Sequence, residues 1–427
     1  MIQVIDPGQR TGIIKIPASK SAAHRYLICA ALSGNGAEII CGGLSKDIQA
    51  TVSCLEGLGA GIQTDAEKIV VCGRDHNEKS TPVRTGTKAC LPCGESGSTL
   101  RFLLPVAGAL GKDAVFEMEG RLPERPMDLY EKVLCENGMS IAREGSRLFC
   151  EGRLKPGRYT LPGNISSQYF SGLMFALPML SGGSEIIIDG KLESADYLEM
   201  TKNTLKECGI IWQEDNKGIY IPGNQHYITP GRFVVEGDYS SAAFFLCAGA
   251  LSEEGITVRG LSEKSAQADR RIINVLESFG ADIKSTAGDI RVCRREMHGM
   301  DIDASMIPDL VPVISVAAAL SEGITRIYNA GRLRMKESDR LKSTAHMLKC
   351  LGADISETED GLLINGKDHL EGNAEIDPFN DHRIAMSAAV AATVCSGRVI
   401  IRDAQCVEKS YPDFWKDFHS LRISGNC

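Results

Sequence analysis

No stretch of this 427-residue chain is apolar for long enough to cross a bilayer. Its longest apolar runs, LVPVISVAAAL from Leu310 and IAMSAAVAATVC from Ile384, fall short of the roughly 18–20 residues a span requires, so no membrane helix is expected. Basic residues are not in excess: 47 Lys+Arg stand against 55 Asp+Glu, a net charge of −8, which argues against a nucleic-acid scaffold. The opening MIQVIDPGQRTGIIKIPASKS has no basic start, apolar core and small-residue cleavage site of an export leader, and a cytoplasmic protein is expected.

Several chemistries lack their signatures. There is no GxxxxGK[ST], no GxGxxG after a strand and no HExxH, and GESGS at Gly94–Ser98 fails the GxSxG pattern at its last position. Nucleotide-driven phosphoryl transfer is therefore not expected. One CxxC, Cys90 and Cys93, has no second pair of ligands at matching spacing. It reads as two thiols beside a loop, and no metal or organic cofactor is expected. The fifteen cysteines follow no spacing pattern, so most should be reduced and buried as small hydrophobes.

What the chain does have is a globular composition, 43% hydrophobic and 24% charged, at a length suited to two or three domains. It also repeats. A helix-like segment ending in glycine before a strand recurs as LEGLGAGI, LCENGMSI, LKECGIIW, LESFGADI and LKCLGADI, marked by Gly59, Gly138, Gly209, Gly280 and Gly352. In step with it, an apolar helix, a small-residue turn and a β-rich run recur at Gly36, Gly111, Gly183, Gly255, Gly323 and Gly397. The glycines suit left-handed helix ends, and the β-branched residues after them suit strands. Six units of about 70 residues follow, an α/β arrangement packing as two groups of three.

A polar cluster precedes each of the six apolar helices: SKSAAHR (19–25), ESGSTLR (95–101), NISSQYF (164–170), GDYSSAAF (237–244), IPDLVP (307–312) and FNDHRIAM (379–386). Capping explains their Ser, Asp and Asn residues. It does not explain Lys20, Arg25, Arg101 and Arg383, since a cation at a helix start opposes the dipole by about 0.3–1 kcal/mol. Something negative must offset them. If the repeats gather these helix starts around one cleft, a small polyanionic ligand is implied. In RLRMKESDRL (332–341), Lys336 and Arg340 would be like-charged i,i+4 neighbours on a helix, which an anion between them would reconcile. Arg125, before Pro126, should be extended and able to project its guanidinium, and Lys409 sits ahead of a proline-interrupted turn.

Taken in order, SKSAAHR, ESGSTLR, ERPMDL, ISSQYFSGL, ESADYLEMT, GDYSSAAFFL, IPDLVP, RMKESDRL, NDHRIAM and EKSYPDFW make the sequence resemble the 5-enolpyruvylshikimate-3-phosphate synthase family of enolpyruvyl transferases along nearly its whole length. The resemblance implies a two-domain inside-out α/β barrel of six βαβαββ-like repeats, three per domain. One domain would be residues 20–236, the other 1–19 with 237–427, and the active site would lie in the cleft between them. It implies a monomer that joins phosphoenolpyruvate to shikimate 3-phosphate, releasing phosphate through a tetrahedral intermediate.

By matched motif, Lys20, Gly97, Arg125, Gln168, Arg340, Arg383 and Lys409 are implied on the phosphoenolpyruvate side. Ser21, Arg25, Ser166, Ser167, Gln168, Ser194, Tyr197, Asp309 and Lys336 are implied on the shikimate 3-phosphate side. Asp309 is the candidate base, with a helix cap as its plainer role. Glu337 or Lys20 is the candidate for moving a proton at the methylene carbon, and His382 could orient phosphate or relay a proton. Glu95, Ser98, Phe102 and Arg332 depart from the commoner family pattern, and Glu95 would weaken anion binding unless it turns away. Gly97 leaves room beside phosphoenolpyruvate, so sensitivity to the family inhibitor glyphosate is expected.

The nearest rival is the sister family acting on UDP-N-acetylglucosamine, which carries a reactive Cys where this chain has Gly120. An RNA 3'-phosphate cyclase would need a nucleotide site and a basic track, and neither shows. A catalytically dead anion-binding module would have no use for Asp309 and Glu337.

Overall fold

The computed structural model describes residues 1–73, 88–216, 218–286 and 288–423. The chain divides into two compact units, one of Lys20–Val235 and one joining Met1–Ser19 to Glu236–Cys427. Glu236, expected as the last residue of the first domain, falls in the second unit. Its carbonyl accepts from the Ser19 amide at 2.7 Å, and its carboxylate from Ser265 and Gln267.

The first unit carries helices α1 (Lys20–Leu32), α2 (Lys46–Gly57), α3 (Gly97–Leu110), α4 (Asp128–Glu136), α5 (Ser167–Ala176) and α6 (Ala195–Glu207). The second carries α7 (Tyr239–Ala250), α8 (Ile272–Phe279), α9 (Val311–Ala318), α10 (Arg340–Cys350), α11 (His382–Ala392) and α12 (Phe414–Ser420). The apolar helices α1, α3, α5, α7, α9 and α11 are buried on nearly every face. That is why their sequences lack a polar stripe. The strands instead alternate buried and exposed residues, so within each unit helices lie inside and sheets outside.

One repeat shows the topology of the four-stranded sheets. Ala89–Gly94 runs parallel to Ala114–Met118, which pairs antiparallel with Arg147–Gly152, which pairs antiparallel with Met139–Glu144. With α3 and α4 as connections this is βαβαββ, and the same strand order recurs in the other four-stranded sheets. The chain crosses over twice to complete them. Arg232–Val234 supplies the parallel strand of the first repeat, and Arg10–Lys15 that of the fourth. The sixth is finished by the amino terminus, where Gln3–Ile5 pairs with Val399–Ile401.

The five glycines of the first series all take left-handed φ values, from 76° to 110°. In the second series Gly36, Gly111, Gly255 and Gly323 do so, but Gly183 and Gly397 do not. There crowding is the reason for glycine: a Cβ would lie 2.3 Å from the Tyr220 hydroxyl at Gly183 and 2.3 Å from the Asn373 side chain at Gly397. The CxxC thiols face opposite ways on their strand, Cys90 exposed and Cys93 buried. Among the described residues no group of His, Cys, Asp and Glu could hold a metal, and no helix is long and apolar enough to cross a membrane.

Candidate functional site

In the first unit, Lys20 opens α1 and its ammonium donates to Asp47 Oδ2 at 2.7 Å, at the start of α2. One turn on, beyond half-buried Ser21, Arg25 is buried. Its Nε donates to Thr201 Oγ1 at 2.9 Å and its Nη2 to the carbonyl of Tyr197 at 2.7 Å, both on α6. Burial lowers the Arg25 pKa to about 10, against the electrostatic support of Tyr197 and Cys29. Ser194, implied on the same side, precedes α6 at its N-cap position with a left-handed φ of 54°.

A second group gathers at the start of α3. Ser96 caps the helix, and Gly97 is its first residue. A Cβ on Gly97 would come within 2.8 Å of Arg125 Nη1 and 2.9 Å of Arg101 Nη1, so two guanidinium tips lie directly over this glycine. Arg125 has the extended backbone that a residue before proline favours, φ −69° and ψ 134°. Arg101 donates to Gln168 Oε1 at 2.7 Å, and Gln168 Nε2 donates to Ser98 Oγ at 2.9 Å. Ser166 caps α5, which begins at Ser167. Glu95 turns onto Gly120: a Cβ there would lie 2.5 Å from its Oε2. This unit therefore brings together Gly97, Arg125, Gln168 and also Arg101, which the motif matching had left out.

In the second unit, Arg340 is 1% exposed and bonds three carboxylates. Nη1 reaches Asp309 Oδ1 at 2.7 Å, Nη2 reaches Glu337 Oε2 at 2.6 Å, and Nε reaches Asp381 Oδ2 at 2.8 Å. Asp309 also lies 3.6 Å from Lys336 Nζ and 3.4 Å from Arg383 Nη2. Burial alone would raise the Asp309 pKa, but Arg383, Lys336 and Arg340 outweigh it and hold the carboxyl well below its usual range. Burial lowers the Lys336 pKa, with Asp309 opposing. His382 is buried, its Nδ1 3.9 Å from Asp381 Oδ1, and Lys409 donates to the carbonyl of Asn380 at 2.6 Å.

Two expectations change here. Lys336 and Arg340 do not share a helix: Asp339 caps α10, accepting from the Lys342 amide at 3.2 Å, so Arg340 is its first residue and Lys336 lies outside, with extended backbone. The anion between the two cations is the protein's own Asp309. Nor is Asp309 a helix cap, since α9 has no side-chain cap and the carboxylate points to the cations instead.

Two residues were missed. Asp381 caps α11 and accepts from Ser338 at 3.0 Å as well as Arg340, whose charge keeps its carboxyl ionised against burial. Asp269, bonded by the Ser240 hydroxyl, is raised by burial to about 6, with Arg383 opposing. In sequence both look like ordinary turn residues; only the adjacency of Asp381 to His382 and Arg383 hinted at more.

Residues 5–418 match the family described as EPSP synthase (3-phosphoshikimate 1-carboxyvinyltransferase). Curated relatives bearing the name 3-phosphoshikimate 1-carboxyvinyltransferase include one from Clostridium acetobutylicum, 44% identical over 424 residues, covering 98% of this chain and 96% of the relative. Another, from Clostridium beijerinckii, is 42% identical over 421 residues with the same coverage. A solved EPSP synthase from Acinetobacter baumannii superposes with a TM-score of 0.81 at 25% identity, covering 99% of this chain and 98% of that one. A match running through both units, in sequence and in fold, makes this chain a member of the EPSP synthase (3-phosphoshikimate 1-carboxyvinyltransferase) family.

Proposed function

We propose that this chain transfers the enolpyruvyl group of phosphoenolpyruvate to the 5-hydroxyl of shikimate 3-phosphate, releasing inorganic phosphate, as a cytoplasmic monomer. The observation that carries the reading is the Asp309 carboxylate held among Arg340, Arg383 and Lys336. These cations suit the phosphate and carboxylate of phosphoenolpyruvate, and Asp309 suits the hydroxyl that attacks it.

The steps balance as an addition and an elimination. The hydroxyl oxygen bonds to C2 of phosphoenolpyruvate while Asp309 accepts its proton, and a proton delivered to the methylene carbon by Glu337 or Lys20 completes a tetrahedral ketal. The bond from C2 to the phosphate oxygen then breaks, the phosphate leaving with the electron pair and taking up the proton held by Asp309, while a methyl proton returns to the group that delivered it, Glu337 or Lys20, and the vinyl ether is restored. Lys20, Arg125 and Lys409 stabilise the departing phosphate, with His382 orienting it. Ser21, Arg25, Ser166, Ser167, Gln168, Ser194, Tyr197 and Lys336 hold the phosphorylated polyol. The low proton affinity of resting Asp309 fits this order. A bound anion draws on the same cations, so the carboxylate becomes a stronger base once substrate has arrived.

The sister reaction on UDP-N-acetylglucosamine fits less well, because Glu95 occupies the space that a side chain at Gly120 would need. The test is phosphate release from purified protein given phosphoenolpyruvate with shikimate 3-phosphate, beside phosphoenolpyruvate with UDP-N-acetylglucosamine. Release with the shikimate ester alone is expected. Release with only the sugar nucleotide, or with neither, overturns the reading.

A further inference from the structure

His24 lies within the first motif but has no part in the reaction as described. It is 1% exposed, one turn after Lys20 on α1, with its ring edge against Phe102 at 6.4 Å between centroids. Its Nδ1 is 2.7 Å from Thr51 Oγ1, Thr51 Oγ1 is 2.6 Å from Thr99 Oγ1, and Thr99 Oγ1 is 2.7 Å from Ser96 Oγ. Four side chains on α1, α2 and the start of α3 thus form one buried line. Both threonine hydroxyls also reach the carbonyl of Asp47, at 3.3 and 3.5 Å. The line ends at a functional place, since Ser96 caps the helix whose first residue is Gly97, and it passes the backbone of Asp47, whose side chain holds Lys20.

The other ring nitrogen fixes the direction of the line. His24 Nε2 is buried with no hydrogen-bond partner. A buried acceptor left unused is tolerated better than a buried N–H left unused, so the proton belongs on Nδ1. Nδ1–H then donates to Thr51, Thr51 to Thr99, and Thr99 to Ser96, so each threonine gives its one proton along the line and only lies near the Asp47 carbonyl. The opposite tautomer would strand an N–H and reverse the first link. Burial, reinforced by Lys20 and Arg25, depresses the imidazole's proton affinity well below normal, which keeps the ring neutral.

We infer that His24 is a positioning residue: as the Nδ1–H tautomer it orients the Thr51–Thr99–Ser96 hydroxyl line, which sets the Gly97 turn for the phosphoenolpyruvate anion. This rests on the function proposed above, because the anion is the one that reading supplies. The line is uncharged and lies beneath the helix starts, so its effect falls on anion affinity rather than on the chemical step.

The test pairs kinetics with a spectrum. Asn offers an N–H near the place of Nδ1, so His24→Asn should keep the Michaelis constant for phosphoenolpyruvate within about threefold, while His24→Leu should raise it about tenfold with little change for shikimate 3-phosphate. Thr51→Val, which cuts the line one link on, should behave like His24→Leu. Equal losses for both substrates, no rise in His24→Leu, or no rescue by Asn would overturn the inference. Nitrogen NMR of histidine-labelled wild-type protein at pH 7 should show a neutral ring protonated at Nδ1, and an Nε2–H or doubly protonated ring overturns it whether or not the enzyme turns over. Silence of the wild-type protein with shikimate 3-phosphate, beside the expected spectrum, would fault the proposed reaction and leave the hydroxyl line standing.

Discussion

The two units hold most of their site arginines differently, although Lys20 of the first is paired with the Asp47 carboxylate and Lys409 of the second with a backbone carbonyl. In the first, Arg101 is bound by the Gln168 amide oxygen, and Arg25 by a threonine hydroxyl and the backbone carbonyls of Ser21 and Tyr197. In the second, Arg340 is bound by three carboxylates, and Lys336 and Arg383 lie against one of them. A neutral acceptor fixes a guanidinium without cancelling its charge, whereas a carboxylate does both and adds a group that exchanges protons. The first unit is thereby suited to holding anions. The second is suited to trading one anion for another while moving a proton, and substitutions should separate the two roles.

The largest effect is expected at the proton-exchanging end. Asp309→Ala should lose about 10²–10⁴-fold in turnover while keeping measurable phosphoenolpyruvate binding. Near-normal turnover would remove its role as base and erase the contrast between the units. Arg340→Met should come next, and it should act on stability as well as rate. It strips the charge partner from Asp381, which is fully buried. Leaving a buried charge uncompensated costs about 3–5 kcal/mol. Denaturant unfolding reads this directly, and a loss below about 1 kcal/mol would mean that Asp381 and Glu337 are neutralised by other means.

A smaller, selective effect belongs to the anion-holding unit. Arg125→Ala should raise the Michaelis constant for phosphoenolpyruvate about tenfold, and an unchanged constant removes it from the site. Gly97→Ala should do likewise, because its Cβ would crowd the buried guanidinium ends of Arg125 and of Arg101, the latter held by Gln168. The same substitution should weaken inhibition by glyphosate, for which wild-type catalysis should be sensitive. Unimpaired wild-type catalysis in millimolar inhibitor would refute that expectation.

Much of this was legible in sequence where the signal is local. Helix-end glycines announce themselves because a left-handed backbone penalises other residues, and Ser96, Ser166 and Asp238 each cap the helix they precede. The reading failed where partners come from far along the chain. Lys336 and Arg340 looked like helical neighbours, although Asp339 before Arg340 was itself a cap signal that should have moved the helix start. The carboxylates of Asp309 and Asp381 offset the cations, but which cation each meets depends on packing between repeats. Asp269 carries no motif at all. Its altered proton affinity follows from burial, which composition and spacing do not report.

That burial gives the smallest and most discriminating test, since Asp269 and Asp309 sit in the same unit with opposite shifts. Asp309 is depressed when folded, so its contribution to stability is present above the unfolded carboxyl pKa of about 4 and is lost as acid protonates the unfolded chain first. Asp269 is raised to about 6, so the folded protein keeps a proton that the unfolded chain releases, and stability falls as pH rises from about 4 to 6. Each slope is bounded by one proton, about 1.4 kcal/mol per pH unit. Measured by urea unfolding at steps from pH 3 to 7, Asp269→Asn should lessen the decline between pH 4 and 6, to which Glu207 and Asp417, also raised by burial, contribute, and leave the acid limb. Asp309→Asn should make the acid limb shallower, Asp381 remaining depressed, and leave most of the decline, since burial is the main cause that raises Asp269. If both variants altered the same limb, the two carboxylates would be titrating as one group, and the cations around Asp309 would reach Asp269 as strongly as they reach Asp309 itself.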